Sequence, residues 1–166
     1  DALRRHFIKG NMNVFFWRMR IYLSTRRGRL DFTDWIIRWT INYEKVREAW
    51  IDLVEKVASV TDPRYVGLLS AVQSDVGREA FDRLDVTERL RAVNDKLQEQ
   101  QEANFPFGEM LNTIMFLLAT DLDDNQRLTL TQNMSLRGFQ IENYTFDKLC
   151  EVFMELFQNP RGQIDD

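Results

Sequence analysis

The fold class of this chain is decided by residues 33–59, TDWIIRWTINYEKVREAWIDLVEKVAS. Apolar side chains recur there every three or four residues, at Ile36, Trp39, Tyr43, Val46, Trp50, Leu53 and Val57. This spacing places them on one face of an α-helix. We therefore predict a long amphipathic helix over 33–59. Its bulky aromatic stripe is a core or interaction surface rather than a coiled-coil seam, and it comprises Trp35, Trp39, Tyr43 and Trp50.

The same helical spacing continues on both sides of that stretch. It predicts further helices over roughly 12–25, 63–75, 81–97, 110–119, 126–136 and 146–159. Gly10 is expected to separate the first of these from a short segment at 2–9. No segment alternates in the manner of a β-strand and is also rich in β-branched residues. The sequence therefore predicts an all-α fold of about seven helices.

A polar run followed by a proline divides the predicted helices into two groups. Residues 98–102, QEQQE, offer no apolar face, and we expect them to project into solvent or to fray. Pro106 disfavours helical geometry just before it, and Gly108 permits a sharp turn. We predict an N-terminal helical lobe at 1–97, a polar hinge at 98–104, a C-terminal helical lobe at 105–160 and a tail at 161–166.

Positive charge is concentrated at the start of the chain. Residues 1–30 carry eight basic side chains against one acidic one, whereas the rest of the chain holds 14 basic and 25 acidic residues. The eight are Arg4, Arg5, Lys9, Arg18, Arg20, Arg26, Arg27 and Arg29. Such a segment contacts a polyanion such as RNA, the acidic body of a second copy, or the acidic body of its own chain.

Aromatic residues interleave with these arginines. Phe7, Phe15, Phe16, Trp17 and Tyr22 could stack on unpaired bases beside phosphate contacts. Their helical spacing is equally typical of rings that face a core, and we favour the core for them.

The sequence gives little support for an enzyme or a metal-binding protein. The chain holds one histidine, His6, and one cysteine, Cys150, which lies among apolar residues and is expected to be a buried, inert thiol. No nucleophile, phosphate-loop or dinucleotide motif is present. We expect no enzymatic activity, cofactor or small-molecule substrate. No apolar run is long enough to span a membrane, and a lone cysteine fits a reducing compartment such as the cytoplasm.

The acidic stretch that begins at Asp121 resembles a calcium-binding EF-hand loop at some positions but not at two essential ones. Its sixth position is Gln126 where the turn needs glycine, and its twelfth is Gln132 where a bidentate glutamate is needed. We predict a helix N-cap there instead of a calcium site.

The C-terminal half resembles a known family. The likeness lies in Phe105-Pro106-Phe107, Leu111–Phe116, Asp121-Leu122, Asn125-Gln126-Arg127, Ser135–Gly138, Tyr144-Thr145-Phe146 and Phe153–Phe157. These residues resemble Gag-like polyproteins of Copia-type long-terminal-repeat retrotransposons, and the Trp-rich region from Phe32 onward looks like the part that precedes them there. The resemblance implies a capsid-type domain of two all-helical lobes joined by a hinge, which self-assembles around RNA.

The resemblance is incomplete. The Cys/His zinc knuckle common downstream in that family is absent from this sequence, as is an aspartic-protease triplet. RNA contact would then fall to the basic side chains of residues 1–30. The chain begins with Asp1, and we expect it to be a piece of a longer polyprotein.

The sequence therefore leads to a functional expectation with one rival. We expect a non-enzymatic, self-assembling capsid-like domain that forms homo-oligomers and contacts RNA through its basic arm. The alternative is a helical adaptor that binds a partner's helix in a groove beside the Trp-rich stripe.

Overall fold

A computed structural model describes the backbone of residues 2–157 and the side chains of Ala2 and residues 10–157. Every regular element in this part of the chain is a helix, which confirms the all-α prediction. The α-helices are α1 (Ala2–Ser24), α2 (Phe32–Ile51), α3 (Tyr65–Val76), α4 (Arg78–Asp82), α5 (Val86–Ala103), α6 (Glu109–Ala119), α7 (Asp124–Leu136) and α8 (Phe146–Phe157), with a 3₁₀ turn at Ile141–Asn143. The predicted tail at 161–166 lies outside the described residues.

The chain packs into two compact units. Unit one comprises the chain up to Phe16 together with Arg47–Phe105, and unit two comprises Trp17–Val46 together with the chain from Pro106 onward. This division differs from the predicted lobes at 1–97 and 105–160, because α1 and α2 each contribute residues to both units.

The first helix is longer than the sequence suggested. We predicted a break at Gly10, but α1 runs without interruption from Ala2 to Ser24. Gly10 is exposed and has no neighbouring atoms within 4 Å of the place where a Cβ would stand. A glycine lowers helix stability by only about 1 kcal/mol relative to alanine, so one glycine on an exposed face does not end a helix.

The core of unit one is formed by α3, α4, α5 and the segment that follows α2. Its buried side chains are Val57, Tyr65, Leu68, Val72, Phe81 and Val93. Val57 was predicted to lie in the second helix, but α2 ends at Ile51. The Asn94 side chain accepts from the Val57 N–H at 2.7 Å and donates to the Val57 carbonyl at 2.9 Å. These bonds satisfy the backbone of a non-helical segment.

The predicted helix at 81–97 is two helices in the structure. The side chain of Asp85 accepts from the Glu88 N–H at 2.8 Å, while the Glu88 carboxylate accepts from the Asp85 N–H at 3.0 Å. This capping box begins a new helix, α5, after the short α4.

The polar run at 98–102 is helical and mostly exposed rather than frayed, so of the two expected outcomes exposure to solvent is the one observed. Helix α5 continues to Ala103. Trp50 Nε1 donates to the Gln101 carbonyl at 2.7 Å, and Gln101 Nε2 donates back to the Trp50 carbonyl at 2.9 Å. Arg47 also pairs with Glu102 at 2.6 Å. Hydrogen bonds and an ion pair to the end of α2 therefore stabilise the C-terminal end of α5, which has no apolar face of its own.

Aromatic rings dominate the core of unit two. Phe116 of α6 is fully buried and lies 5.9 Å from the ring of Trp35, 5.8 Å from Trp39 and 5.8 Å from Phe153. Ring pairs at these centroid separations stabilise a core beyond the area that they bury. Helices α6 and α8 thus pack with the start of α2 around one aromatic cluster.

Two buried polar side chains are built into that cluster. Asn112 Oδ1 accepts from the Tyr22 hydroxyl at 2.8 Å and from Trp39 Nε1 at 2.9 Å. Thr120 Oγ1 accepts from Trp35 Nε1 at 2.8 Å. Buried indole and phenol groups require such partners. Asn112 of α6 and Thr120, which follows the helix, therefore fix the positions of the Tyr22, Trp35 and Trp39 rings.

Several predicted helix boundaries in unit two are confirmed. Asp123 caps α7 by accepting from the Gln126 N–H at 2.7 Å, as expected for that acidic stretch. Gly138 follows α7 with a φ of 78°, a left-handed conformation that favours glycine after a helix. Helix α8 begins after Thr145, whose hydroxyl accepts from the Lys148 N–H at 3.3 Å.

Candidate interaction surfaces

Metal-ligating side chains do not converge in the part of the chain that the structure describes. Among residues with described side chains, no group of three or more His, Cys, Asp and Glu residues is placed to hold a metal ion.

Cys150 is half-buried rather than fully buried as the sequence predicts, and its thiol is poorly suited to nucleophilic chemistry. Burial, and to a smaller extent the nearby carboxylate of Asp147, raises the pKa of Cys150 to about 12. The thiolate is the reactive form, so its population near neutral pH is very small.

Alkylation of Cys150 by iodoacetamide at pH 8 is accordingly expected to be at least tenfold slower in the folded chain than in urea, because unfolding restores an ordinary thiol pKa of about 8.5. Mass spectrometry of timed aliquots measures the rate. A control thiol, Ser135→Cys in a Cys150→Ala chain, is exposed on α7 and should react quickly in the folded protein. Equal rates for Cys150 and this control would contradict the burial that raises the pKa.

The outward face of α1 is apolar with an arginine at its centre. Phe16 and Trp17 are 59% and 61% exposed, and Leu23 is 42% exposed. Arg20 is also exposed and follows Trp17 by three residues and Phe16 by four, so it lies beside both rings on the helix surface. We call Phe16, Trp17, Arg20 and Leu23 the α1 face. Contiguous exposed apolar side chains of this size are typical of interaction sites.

This face was missed by our interpretation of the sequence. We favoured the core for all rings of the basic segment, and that is right for Phe15 and Tyr22, which are 7% and 0% exposed. It is wrong for Phe16 and Trp17. Successive helical residues point about 100° apart, so three consecutive aromatic residues cannot all face one core. The run FFW at 15–17 was the pattern that could have predicted the α1 face.

The structure divides the basic residues predicted to contact RNA. Arg27 stabilises unit two, since its Nε donates to the Thr120 carbonyl at 2.9 Å and its guanidinium lies 4.5 Å from the centre of the Phe32 ring. Of the others, Arg18 is half-buried, and Arg20, Arg26 and Arg29 are exposed. The side chains of Arg4, Arg5 and Lys9 lie outside the described residues. Among the basic residues whose side chains are described, Arg20, Arg26 and Arg29 are therefore best placed to contact a polyanion.

The aromatic stripe of α2 lies mostly inside the two units. Trp35 and Trp39 are 0% and 1% exposed, and Tyr43 and Trp50 are half-buried. The Tyr43 hydroxyl donates to the Phe107 carbonyl at 2.8 Å. These rings organise the cores and offer little surface to a partner.

A groove of about 590 Å³ lies between the start of α2 and α8 in unit two. Ile36, Ile37 and Met154 give it apolar walls, and Ile37 is 52% exposed. Asp147 and Glu151, one helical turn apart on α8, line the same groove and are exposed. We call it the α2–α8 groove. Its mixture of apolar and acidic side chains suits an apolar segment that carries positive charge.

No protein-family model, curated protein or solved structure significantly matches this chain. Within the described residues, none of the helices has the length and apolar character needed to cross a bilayer.

Unit one contains a larger cleft of about 790 Å³ beside α5. Basic and acidic side chains both line it, among them Lys56, Arg91, Asp52 and Asp95. A lining with charges of both signs favours neither an anionic nor a cationic ligand, so the cleft points to no ligand class.

Proposed function

We propose that this chain is a self-associating structural domain with a capsid-like role and no enzymatic activity. The observation that carries the proposal is the α1 face, on which Phe16 and Trp17 are more than half exposed. Rings of this size bury on the order of 150–250 Å² each when covered. The other described rings of the basic segment, Phe15 and Tyr22, are buried in the core. We therefore infer that another molecule covers the exposed rings of Phe16 and Trp17.

The basic segment gives the proposal its second part, contact with RNA. Residues 1–30 carry eight basic side chains against one acidic one, while the remaining chain is acidic. Phosphate contacts of this kind are electrostatic and independent of base sequence. RNA would neutralise the repulsion between basic segments of neighbouring copies and thereby favour assembly. The resemblance of residues 105–157 to Gag-like polyproteins agrees with this role.

The experiment is light scattering with analytical ultracentrifugation over a wide concentration range, with and without a short single-stranded RNA. We expect oligomers or particles that increase with concentration and with RNA. The double variant Phe16→Ser/Trp17→Ser should need at least about a tenfold higher concentration to associate, since a tenfold change corresponds to about 1.4 kcal/mol.

The matched control is Val66→Ser on α3, which changes one apolar residue that is 73% exposed and belongs to a different helix. This variant should associate like the unaltered chain. If the unaltered chain is monomeric at every concentration, with and without RNA, the proposed function is wrong.

The α2–α8 groove favours a second candidate function, a helical adaptor. Its apolar walls and its size of about 590 Å³ suit part of a partner helix. An adaptor would be a monomer or small dimer that binds a basic amphipathic peptide, and RNA would not change its mass. The same light-scattering series therefore separates the two candidates.

A further inference from the structure

We propose that the α1 face of one copy docks into the α2–α8 groove of a second copy. This inference rests on the proposed self-association and specifies the surfaces through which it occurs. Both surfaces are exposed in the single chain, and their charges are complementary. The α1 face offers apolar side chains with a basic group at their centre, and the groove offers apolar walls with acidic groups.

The spacing of the α1 face is that of a helix that binds in a groove. Phe16, Arg20 and Leu23 follow one another at intervals of four and three residues, and Trp17 lies beside Arg20. Anchors at such intervals project from one side of a helix and enter a groove together. A helical segment presented in this way is already ordered, so docking requires little additional loss of conformational entropy.

Charge complementarity selects a second copy as the occupant. Asp147 and Glu151 line the groove, and Arg20 lies between Phe16 and Trp17 on the α1 face. When the rings contact Ile37 and Met154, the guanidinium can meet the carboxylates at the edge of the contact. An acidic or purely apolar partner would leave these carboxylates facing like charge or hydrocarbon, which is unfavourable.

The proposed contact joins two different surfaces, and this determines the kind of assembly. Each copy carries one α1 face and one groove, so every docked copy leaves a further face and a further groove available. Such head-to-tail contacts form closed rings where the rotation between copies closes and extended assemblies where it does not. A contact of this kind can by itself extend beyond a pair of copies, whereas a single two-fold contact stops at a dimer.

A charge exchange tests the contact directly. Arg20→Glu and Glu151→Arg should each reduce association about tenfold, because each places like charges opposite one another across the contact. Combining them in the chain Arg20→Glu/Glu151→Arg restores opposite charges, and association should return to within about threefold of the unaltered protein. An equimolar mixture of the two single variants should associate more strongly than either alone.

Matched controls reverse exposed charges outside the two surfaces. Arg29→Glu lies in the same basic segment, and Glu142→Arg lies in the 3₁₀ turn before α8. Neither should change association in the absence of RNA. Sedimentation velocity over a concentration series measures all of these variants, and circular dichroism checks that each remains helical.

The outcomes separate this inference from the proposed function. If the chain associates but the single variants have no effect, or the double variant is not restored, the inference is wrong and the proposed function stands. If the chain is a monomer, both are wrong. Two further results would also overturn the inference. In the first, the chain is monomeric and the Phe16→Ser/Trp17→Ser variant loses only affinity for single-stranded RNA. In the second, the chain is monomeric and its α2–α8 groove binds only an added basic peptide.

Discussion

Replacing Asn112 by alanine is expected to lower the free energy of unfolding by about 3–5 kcal/mol. The Asn112 side chain is 3% exposed, and its Oδ1 accepts from both the Tyr22 hydroxyl and Trp39 Nε1. The variant would leave two buried donors without this acceptor, and each such loss costs about 1–3 kcal/mol. Since a domain is stable by only about 5–15 kcal/mol, this single change removes a large fraction of the total.

Urea denaturation followed by tryptophan fluorescence measures the effect, because Trp39 reports on the same cluster. The control is Asn143→Ala, which removes an exposed amide elsewhere in unit two and should change stability by less than about 0.5 kcal/mol. If Asn112→Ala has an effect as small as the control, then water or another group satisfies Tyr22 and Trp39.

A double-mutant cycle tests the mechanism. Tyr22→Phe removes one of the two donors, so Asn112→Ala should cost less in that background than in the unaltered chain. Burial, with a smaller contribution from Tyr43, raises the pKa of the Tyr22 phenol above its ordinary value of 10.0. The unfolded chain therefore ionises first, and the stability that depends on the neutral hydroxyl is fully present below pH 10 and is lost as the pH rises above it.

The boundaries that could be predicted from the sequence depend on local chemistry. Helix α6 begins just after Gly108, α7 begins at an Asp123–Gln126 capping box, and α8 begins after Thr145. Each of these boundaries has a capping or helix-breaking residue within one turn of the helix end, and such residues can be recognised in the sequence. The all-α class follows from the same local periodicity.

The errors arise where distant residues decide the backbone. The heptad stripe continues through Leu53 and Val57, yet α2 ends at Ile51, and Asn94 satisfies the backbone of the non-helical Val57 from 37 positions away. The polar run at 98–102 is helical because Trp50 and Gln101 exchange two hydrogen bonds. Tertiary contacts of this kind override local propensity and are not visible in a helical pattern.

Only part of the candidate surfaces could be predicted from the sequence, because tertiary packing decides which side chains are exposed. The excess of basic residues in 1–30 is a property of composition and was evident from the sequence. Which of the consecutive rings Phe15, Phe16 and Trp17 face outward depends on where α1 contacts its neighbours, and the sequence does not supply that orientation. The α2–α8 groove combines residues more than 100 positions apart in the chain, such as Ile37 and Met154, so no local pattern could have indicated it.

Replacing Phe116 by alanine should be as destabilising as the change at Asn112, again by about 3–5 kcal/mol, for a different physical reason. The Phe116 ring is 0% exposed and contacts four other rings, those of Trp35, Trp39, Phe146 and Phe153. Truncation removes the apolar area that the ring buries and leaves a cavity, which close-packed neighbours fill only in part.

The matched control is Leu118→Ala on the same helix, whose side chain is 72% exposed. It should change stability by less than about 0.5 kcal/mol, because little apolar area is returned to water. Thermal and urea unfolding of both variants, followed by near-ultraviolet circular dichroism, would also show whether the rings lose their fixed packing. Comparable losses for the two variants would mean that α6 is not buried on the side assigned to it.

Phe153→Leu extends this test from a single ring to the cluster. Phe153 lies 5.8 Å from Phe116 and 4.6 Å from Phe32, so it joins α6 to the start of α2 across α8. If the rings stabilise unit two as one cluster, then Phe116→Ala and Phe153→Leu should be non-additive, with a coupling of at least about 0.5 kcal/mol. Additive losses would show that the two rings act independently.

The same segments of α2 and α8 form the α2–α8 groove, although neither Phe116 nor Phe153 lines it. A variant that loosens the aromatic cluster should therefore also distort the groove and weaken self-association.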